Sequence, residues 1–250
     1  METLLQADHV SYSYHNLSGE TPALSDITFS VKKGEFLSLV GPSGCGKSTL
    51  LSLLATLLKP ESGTVTIQGR IGYMLQKDHL FEWRTIWKNV TLGLEIQKRM
   101  TQENLARAQQ MMKDYGLWEF RDARPSELSG GMRQRAALIR TLVPDPDLLL
   151  LDEPFSALDY QTRLHVCDDV CRIIKKEGKT AILVTHDLSE AISVSDRVLI
   201  LSHRPASVRR ELPLSFTDSR LTPMARRQTR EFQDYFNIIW KELNADESEI

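Results

Sequence analysis

A glycine-rich loop between two apolar segments constrains the fold of this chain more than any other feature. Residues 36–40 are apolar or small, residues 41–48 fit the pattern G-x-x-x-x-G-K-S/T, and residues 48–58 are apolar almost all round. This succession predicts a strand, a tight turn and a buried helix. Glycines let backbone N–H groups turn inward around an anion, and the N-terminus of the helix adds positive potential. The loop therefore predicts a phosphate-binding site at the end of a buried strand.

The side chains and backbone groups of this loop are the expected contacts of a bound nucleotide. They belong to Gly41, Pro42, Ser43, Gly44, Cys45, Gly46, Lys47, Ser48 and Thr49. Lys47 would reach the β- and γ-phosphates, and the hydroxyl of Ser48 would bind Mg²⁺. Cys45 is interpreted as a small residue that fits the loop, with a redox-sensitive thiol as the alternative.

Composition excludes several classes of protein. The chain carries 31 Lys and Arg against 33 Asp and Glu, a net charge of −2, which argues against nucleic acid as the main partner. No apolar run approaches the length of a membrane span, and the N-terminal segment lacks the features of a signal peptide. The chain has 3 cysteines, which cannot build a disulfide framework. We therefore expect an ordinary globular protein in the cytoplasm.

Apolar runs alternate with helical patterns along the rest of the chain. Strands are predicted at residues 10–14, 27–31, 36–40, 148–151, 180–185 and 197–201. Helices are predicted at residues 48–58, 160–177 and 222–243 and between Thr101, as a cap, and Gly116, while residues 205–219 are predicted to be a connector. Buried strands that alternate with helices predict an α/β fold with a mostly parallel sheet covered on both faces.

Two acidic residues, Asp152 and Glu153, follow the apolar run at residues 148–151. The end of a buried parallel strand is where a Mg²⁺-bound triphosphate lies in such a sheet. Asp152 would hold the metal, and Glu153 would polarise the attacking water. Upstream, Ser129, Gly130 and Gly131 form a helix cap and a second anion-binding helix N-terminus. One chain thus carries two such helix starts.

In their order along the chain, these motifs resemble the ATP-binding cassette family, the nucleotide-hydrolysing subunits of ABC transporters. Residues 41–48 match its Walker A motif, residues 128–134 its signature, residues 148–153 its Walker B motif and residues 156–159 its D-loop. Elsewhere, Gln76 matches the Q-loop glutamine, His186 the switch histidine and Tyr14 the aromatic that stacks on adenine, with Tyr12 as its rival. The resemblance covers about residues 4–215.

The resemblance implies a P-loop NTPase fold with a RecA-like core, an antiparallel β subdomain and a helical signature subdomain. The helical subdomain is expected at about residues 77–140 within a cassette of residues 1–219. Beyond the stretch that the resemblance covers, the helical pattern predicts a C-terminal helical extension at residues 220–250.

The resemblance also implies the chemistry and the cofactors, ATP and Mg²⁺. Glu153, His186 and Gln76 would be catalytic, and Ser48, Gln76 and Asp152 would hold the metal. Besides the loop, the nucleotide contacts would be Tyr14, Ser129, Gly130, Gly131 and Asp159.

The implied partners follow from the same family. A second ATPase subunit, expected to be an identical copy, would face the first, so that each signature completes the ATP site of the other subunit. Two transmembrane permease subunits and, indirectly, an external solute-binding protein would complete the transporter, with no nucleic acid. The chain would lie on the cytoplasmic face of the membrane as a peripheral subunit.

A subgroup is indicated by Met132, which follows the two glycines of the signature, and by residues 80–85 and 203–205. These segments resemble importers of nitrate, sulfonates, taurine and related solutes, although Glu82 stands where that subgroup usually has proline. The alternatives are the ATPase of another ABC system, such as an exporter or a non-transport protein, and a P-loop regulator. The Asn-Lys-x-Asp motif of a P-loop GTPase is absent from the sequence.

Two apolar clusters leave alternatives open. Leu80, Phe81 and Trp83 form either a permease contact within residues 77–94 or a small core of the helical region. Phe232, Phe236, Ile239 and Leu243 form one stripe of the predicted C-terminal helix. That helix is either a regulatory or dimer-stabilising appendage or an element that closes the core of the cassette. Arg226, Arg227 and Arg230 oppose its dipole, so we expect them to have outside partners such as carboxylates or anionic lipid headgroups.

Overall fold

The computed structural model describes residues 2–16, 19–218 and 220–244, and their strands form two sheets. The strands are β1 (Thr3–Asn16), β2 (Gly19–Lys32), β3 (Phe36–Val40), β4 (Ser62–Ile67), β5 (Ile71–Met74), β6 (Leu148–Asp152), β7 (Thr180–Val184), β8 (Arg197–Leu201) and β9 (Val208–Pro213). The helices are α1 (Lys47–Leu54), α2 (Ile86–Val90), α3 (Leu92–Ile96), α4 (Gln102–Asp114), α5 (Gly130–Leu142), α6 (Tyr160–Lys176), α7 (Leu188–Val194), α8 (Pro223–Arg226) and α9 (Arg230–Asn244). Short 3₁₀ turns lie at Trp118–Phe120 and Pro125–Glu127. None of the helices in the described part of the chain is long and apolar enough to cross a membrane.

The larger sheet confirms the predicted parallel core. Its strand order is β5-β6-β7-β3-β8-β9, and all pairs are parallel except β8 with β9. β3 lies between β7 and β8, and all five of its residues are buried. The ends of β3, β6 and β7 therefore meet at one edge of the sheet, because parallel strands deliver their C-terminal ends to the same side.

β9 corrects the prediction that residues 205–219 are only a connector. The strand pairs with β8 in antiparallel register and forms the outer edge of the sheet. Only Leu212 of β9 is buried, since the remaining residues are polar, partly exposed or proline. An edge strand with one buried side chain has too little apolar alternation to be detected from its pattern.

The smaller sheet has the antiparallel order β2-β1-β4 and covers α1. Buried side chains of β1, β2 and α1 join those of β3 and β6 in one apolar cluster. α1 is therefore apolar all round because it lies between two sheets. It ends at Leu54, four residues short of the predicted end, where Ala55 is the C-cap and Thr56 takes a left-handed conformation with φ of 59°.

The helices between β5 and β6 pack around a second apolar cluster. As predicted, the Thr101 side chain caps α4 by accepting a hydrogen bond from the Asn104 backbone, and Gly116 follows that helix with a positive φ of 70°. The subdomain bounds at residues 77–140, the cassette at 1–219 and the extension at 220–250 stay predictions.

The C-terminal segment forms two helices, α8 and α9, where the sequence predicted one. The Thr222 side chain caps α8 as expected, and the chain then turns before α9 begins at Arg230. Phe232 and Ile239 are buried in a third cluster together with residues of α7 and β8. Residues 245–250, the end of the predicted extension, lie outside the described residues.

Arg226 corrects the expectation that the arginines near this helix start have outside partners. Its side chain is buried and donates to the carbonyl oxygens of Ser193, at 3.2 Å, and Ser195, at 3.1 Å. Its guanidinium lies 4.6 Å from the ring centroid of Phe216. The Ser193 carbonyl belongs to the C-terminal end of α7, where the helix dipole favours a cation. Arg226 therefore contacts its own chain, and Arg227 also donates to the Ser193 hydroxyl at 3.4 Å.

The packing of α9 on the cassette predicts different effects for two adjacent side chains. Ile239→Ala should lower the free energy of unfolding by about 2–5 kcal/mol, because it removes buried methyl groups and leaves a cavity. Trp240→Ala is the control, since this side chain is 56% exposed, and it should have a much smaller effect. Denaturant unfolding of both variants measures the difference. Equal effects would contradict a role for α9 in the core.

Candidate functional site

A cleft at the C-terminal edge of the larger sheet brings most of the predicted site residues together. Val184 of β7 pairs with both Leu39 of β3 and Asp152 of β6, so the segments that follow these strands are neighbours. The cleft has a volume of about 430 Å³. It is lined by Ser43, Gly44, Gly46, Lys47, Ser48, Thr49, Glu153 and His186.

The glycine loop has the conformation that its sequence predicts. Gly44 and Gly46 have positive φ values of 74° and 123°. A Cβ atom at Gly46 would lie 2.9 Å from a methyl carbon of Leu24, so both space and backbone angle require glycine there. Gly46 is also the N-cap of α1 and makes no side-chain capping bond, which leaves the first N–H groups of the helix available to an anion.

Lys47 places its ammonium group across the loop. Its Nζ donates to the carbonyl oxygens of Gly41, at 2.8 Å, and Pro42, at 2.9 Å. The cation and the N-terminus of α1 therefore bring positive potential to the same loop, as a polyphosphate requires.

Cys45 belongs to the loop, and its side chain is fully buried. Burial raises the pKa of its thiol, which disfavours the reactive thiolate. A Cβ atom on Gly41 would come within 2.9 Å of the Cys45 sulfur, so the two residues are closely packed. This packing supports the interpretation of Cys45 as a small residue that fills space under the loop.

Oxygen ligands suited to Mg²⁺ lie together beside the loop. The Ser48 hydroxyl donates to Asp152 Oδ1 at 3.2 Å, and burial raises the pKa of the Asp152 carboxyl. A hydroxyl and a carboxylate are the ligands that Mg²⁺ prefers in nucleotide sites, so the donor set fits this metal.

Tyr73 is a site neighbour that the sequence reasoning missed. Its hydroxyl donates to Asp152 Oδ2 at 3.4 Å, across the parallel pair of β5 and β6. Burial and the nearby Asp152 carboxylate raise the pKa of Tyr73 to about 12, so its hydroxyl remains a donor. Pattern could not reveal this contact, because it depends on which strand pairs with β6.

Two of the three predicted catalytic residues, Gln76 and His186, converge on a carboxylate oxygen of the third, Glu153. Gln76 Nε2 donates to Glu153 Oε2 at 3.2 Å, and His186 Nδ1 lies 3.1 Å from the same oxygen. The backbone N–H of Glu153 donates to the Val184 carbonyl at 2.8 Å. Glu153 takes a left-handed conformation with φ of 42°, which is rare for a residue with a side chain and stores strain at the site. The fold thus holds this carboxylate in place at a conformational cost.

Tyr14 lies next to the loop, and its rival Tyr12 packs into the core. The Tyr14 hydroxyl is 3.0 Å from Thr49 Oγ1, and the residue is 41% exposed. Tyr12 packs against the cluster beneath the smaller sheet and meets Tyr14 edge-to-face at 5.1 Å. Of the two rings, Tyr14 is the more exposed one, whereas Tyr12 is partly buried.

The signature and D-loop residues do not line this cleft within the described part of the chain. The Ser129 side chain caps α5 by accepting from the Met132 backbone at 3.3 Å, and Gly130 borders a separate cleft of about 380 Å³. A Cβ atom at Gly131 would lie 2.9 Å from a Val166 methyl, so glycine allows α5 to approach α6. Asp159 caps α6 by accepting from Thr162, and this hydrogen bond lowers the pKa of its carboxyl.

Comparison with known families agrees with this geometry. The family model described as ABC transporter matches residues 24–156, more than half of the chain. The chain belongs to the ABC transporter family. An uncharacterized ABC transporter ATP-binding protein, YtlC of Bacillus subtilis, is 47% identical over 99% of this chain and 98% of its own length. The taurine import ATP-binding protein TauB of Pelagibacter ubique is 39% identical over 85% of this chain and 83% of its own length.

A solved structure confirms the predicted fold class. The chain superimposes on the dimeric structure of a post-hydrolysis state of the ATP-binding cassette MJ0796, bound to ADP and Pi, with a TM-score of 0.72 and 30% identity. The match covers 85% of this chain and 100% of that chain. The larger parallel sheet, the small antiparallel sheet and the helices before β6 are therefore those of an ABC ATPase cassette.

The positions of the two tyrosines predict a difference in nucleotide affinity. Tyr14→Ala should weaken ATP binding about tenfold, because stacking of a base on an aromatic ring contributes about 1–3 kcal/mol. Tyr12→Ala should lower thermal stability with a smaller effect on affinity, because its ring packs into the core. Titration with ATP and thermal unfolding separate the two effects. If Tyr12→Ala weakens binding more than Tyr14→Ala does, the assignment is wrong.

Proposed function

We propose that this ABC ATPase is the energy-coupling subunit of an importer for a small solute such as nitrate, a sulfonate or taurine. The observation that carries the catalytic part is the convergence of Gln76 and His186 on Glu153 Oε2 beside the phosphate loop. Similarity to a taurine import ATP-binding protein supports the importer. Met132 and the segment at residues 80–85 support the solute class.

Hydrolysis would proceed by in-line attack of water on the γ-phosphate, with catalysis arising from position and charge. Lys47 and the N-terminus of α1 bind the phosphates, and Glu153 accepts the proton of the water. His186 and Gln76 both lie at Glu153 Oε2 and orient the carboxylate, and His186 would also donate a hydrogen bond to the γ-phosphate. Ser48, Asp152 and Gln76 would hold Mg²⁺, which supplies charge neutralisation at the β- and γ-phosphates.

A second copy of the chain is the proposed partner of the ATP site. Ser129, Gly130 and Gly131 form a second anion-binding helix start that lies outside the cleft of their own chain. In a head-to-tail pair, this helix start would face the γ-phosphate bound by the opposite subunit, and Asp159 would lie at the contact. The dimeric state of the related cassette MJ0796 supports this arrangement.

The remaining partners follow from the importer. Two transmembrane permease subunits would bind the cassette at the cytoplasmic face of the membrane, and an external solute-binding protein would deliver the solute to them. The net charge of −2 does not favour nucleic acid as a partner.

Within the predicted permease contact, the three apolar side chains have different environments. Leu80 is buried in the cluster of the helical region, whereas Trp83 is 70% exposed and its ring lies 4.7 Å from that of Phe81. The Asn89 side chain holds the backbone of Phe81 from both sides, accepting from its N–H at 2.7 Å and donating to its carbonyl at 3.1 Å. Leu80 is thus a core residue, and we propose Trp83 with Phe81 as the contact.

Glu153→Gln tests the catalytic proposal. ATP binding should persist, while turnover should fall on the order of 10²-fold or more, because an amide cannot accept the proton. ATP should then stabilise a lasting dimer of the variant. Lys47→Ala should instead lose nucleotide affinity. Phosphate release, ATP titration and size-exclusion chromatography measure these effects, and normal turnover in Glu153→Gln would place the general base elsewhere.

Trp83→Glu tests the permease contact. Transport by the assembled transporter should fall about tenfold or more, because an exposed tryptophan at an interface contributes strongly to binding. ATPase activity of the isolated subunit should stay unchanged, since Trp83 does not line the cleft. Trp240→Glu is the control, as an exposed tryptophan on α9. Loss of folding in Trp83→Glu would assign the residue to the core, and unchanged transport would exclude it from the contact.

A further inference from the structure

Arg163 on α6 connects two segments that flank the catalytic cleft. Its side chain is only 23% exposed. Nη2 donates to the carbonyl oxygen of Leu158 at 2.9 Å, within the segment of residues 156–159. Nη1 lies 3.6 Å from Asp187 Oδ2, and Nε lies 3.9 Å from Glu190 Oε1. One guanidinium thus faces the D-loop backbone on one side and two carboxylates on the other.

One of these carboxylates belongs to Asp187, which follows His186, and the other, Glu190, is hydrogen-bonded to Thr185, which precedes it. Asp187 follows His186 directly and caps α7 by accepting from Ser189 and Glu190 N–H groups. Glu190 accepts from the Thr185 hydroxyl at 2.6 Å, and that hydroxyl accepts from the Asp187 N–H at 3.0 Å. The backbone on both sides of His186 is therefore tied to the groups that Arg163 faces.

Electrostatics makes this arrangement dependent on the arginine. Glu190 is buried, and burial together with the nearby Asp187 raises the pKa of its carboxyl, while the Thr185 hydrogen bond and then Arg163 and Arg227 oppose the rise. Arg163 Nε is itself buried without a hydrogen-bond partner in the described part of the chain, so it meets Glu190 through charge alone. Buried ion pairs add little net stability, because desolvation offsets their attraction. Removal of one partner leaves an uncompensated charge and shifts its surroundings.

We propose that Arg163 is a positioning residue that holds the D-loop, residues 156–159, and the His186 backbone in one fixed relation. The inference rests on the proposed function, in which His186 contacts the γ-phosphate and residues 156–159 lie at the contact with a second subunit. A displacement of the D-loop would then be transmitted through the Leu158 carbonyl, Arg163 and Asp187 to the histidine. Arg163 does not line the cleft and contacts no reacting group.

The test compares Arg163→Gln and Arg163→Lys with Arg172→Gln in the full chain. Arg172 is the matched control, because it lies on the same helix, is 73% exposed and pairs only with Asp169 among the described ion pairs. Arg163→Gln should lower kcat for ATP about tenfold with KM little changed, as the loss of a residue that orients a site residue does. Arg163→Lys keeps the charge and should recover part of the loss, and Arg172→Gln should match the unaltered chain.

Two further measurements separate positioning from a general loss of structure. The ring ¹H–¹³C signal of His186 should shift in Arg163→Gln at a temperature well below the thermal midpoint of the variant, where its fold is intact. Asp187→Asn keeps the helix-capping oxygen but loses the charge. Combined with Arg163→Gln, it should add little to the loss in kcat, because both substitutions remove the same contact between Arg163 and Asp187.

The outcomes distinguish this inference from the proposed function. An unaltered chain that fails to hydrolyse ATP would contradict the proposed function. An active chain whose Arg163→Gln variant keeps its kcat would contradict only the inference. A fall in kcat with an unchanged His186 signal would also overturn it, because Arg163 would then act by supporting the fold and not by positioning the histidine.

Discussion

The parallel pairing of β7 with its two neighbours brings together the phosphate loop, the acidic pair Asp152–Glu153 and His186. Val184 pairs with Leu39 on one side and with Asp152 on the other. Its carbonyl also accepts the hydrogen bond of the Glu153 N–H, so the register of three strands sets the position of Glu153, the proposed general base. Because parallel strands end on one side of the sheet, the phosphate loop, the acidic pair and His186 meet without any long connection.

This placement has a conformational cost that the surrounding structure supports. Glu153, Gly44 and Gly46 take backbone conformations with positive φ at the edge of the sheet. α1 continues directly from the loop and is buried between the two sheets, so its apolar side chains anchor the loop. Tight packing of this kind lets a protein hold strained residues in a unique arrangement. The packing of α1 thus supports the loop, while the hydrogen bond from the Glu153 N–H to the Val184 carbonyl of β7 helps to hold the strained Glu153.

α7 is the element on which the catalytic and C-terminal parts of the molecule meet. At its N-terminal end, Asp187 and Glu190 face Arg163. At its C-terminal end, carbonyl oxygens accept from the buried Arg226 of α8, and α9 covers its apolar side through Ile239. The helix that follows His186 is therefore held at both ends by arginines from other helices. The C-terminal helices thereby pack onto the part of the cassette that carries His186, the proposed switch histidine.

The phosphate loop, the acidic pair Asp152–Glu153 and the parallel core could all be predicted from the sequence, because each depends on contiguous residues with a strong local pattern. Caps and glycines marked the ends of α4 for the same reason. The hydrogen bond of Tyr73 to Asp152, the pairing of β9 at the edge of the sheet and the burial of Arg226 against α7 are visible only in the folded chain. These features depend on which strands pair and which helix ends meet. Such contacts join residues far apart in the chain, and hydrophobic periodicity records only which face of an element is buried, not what buries it.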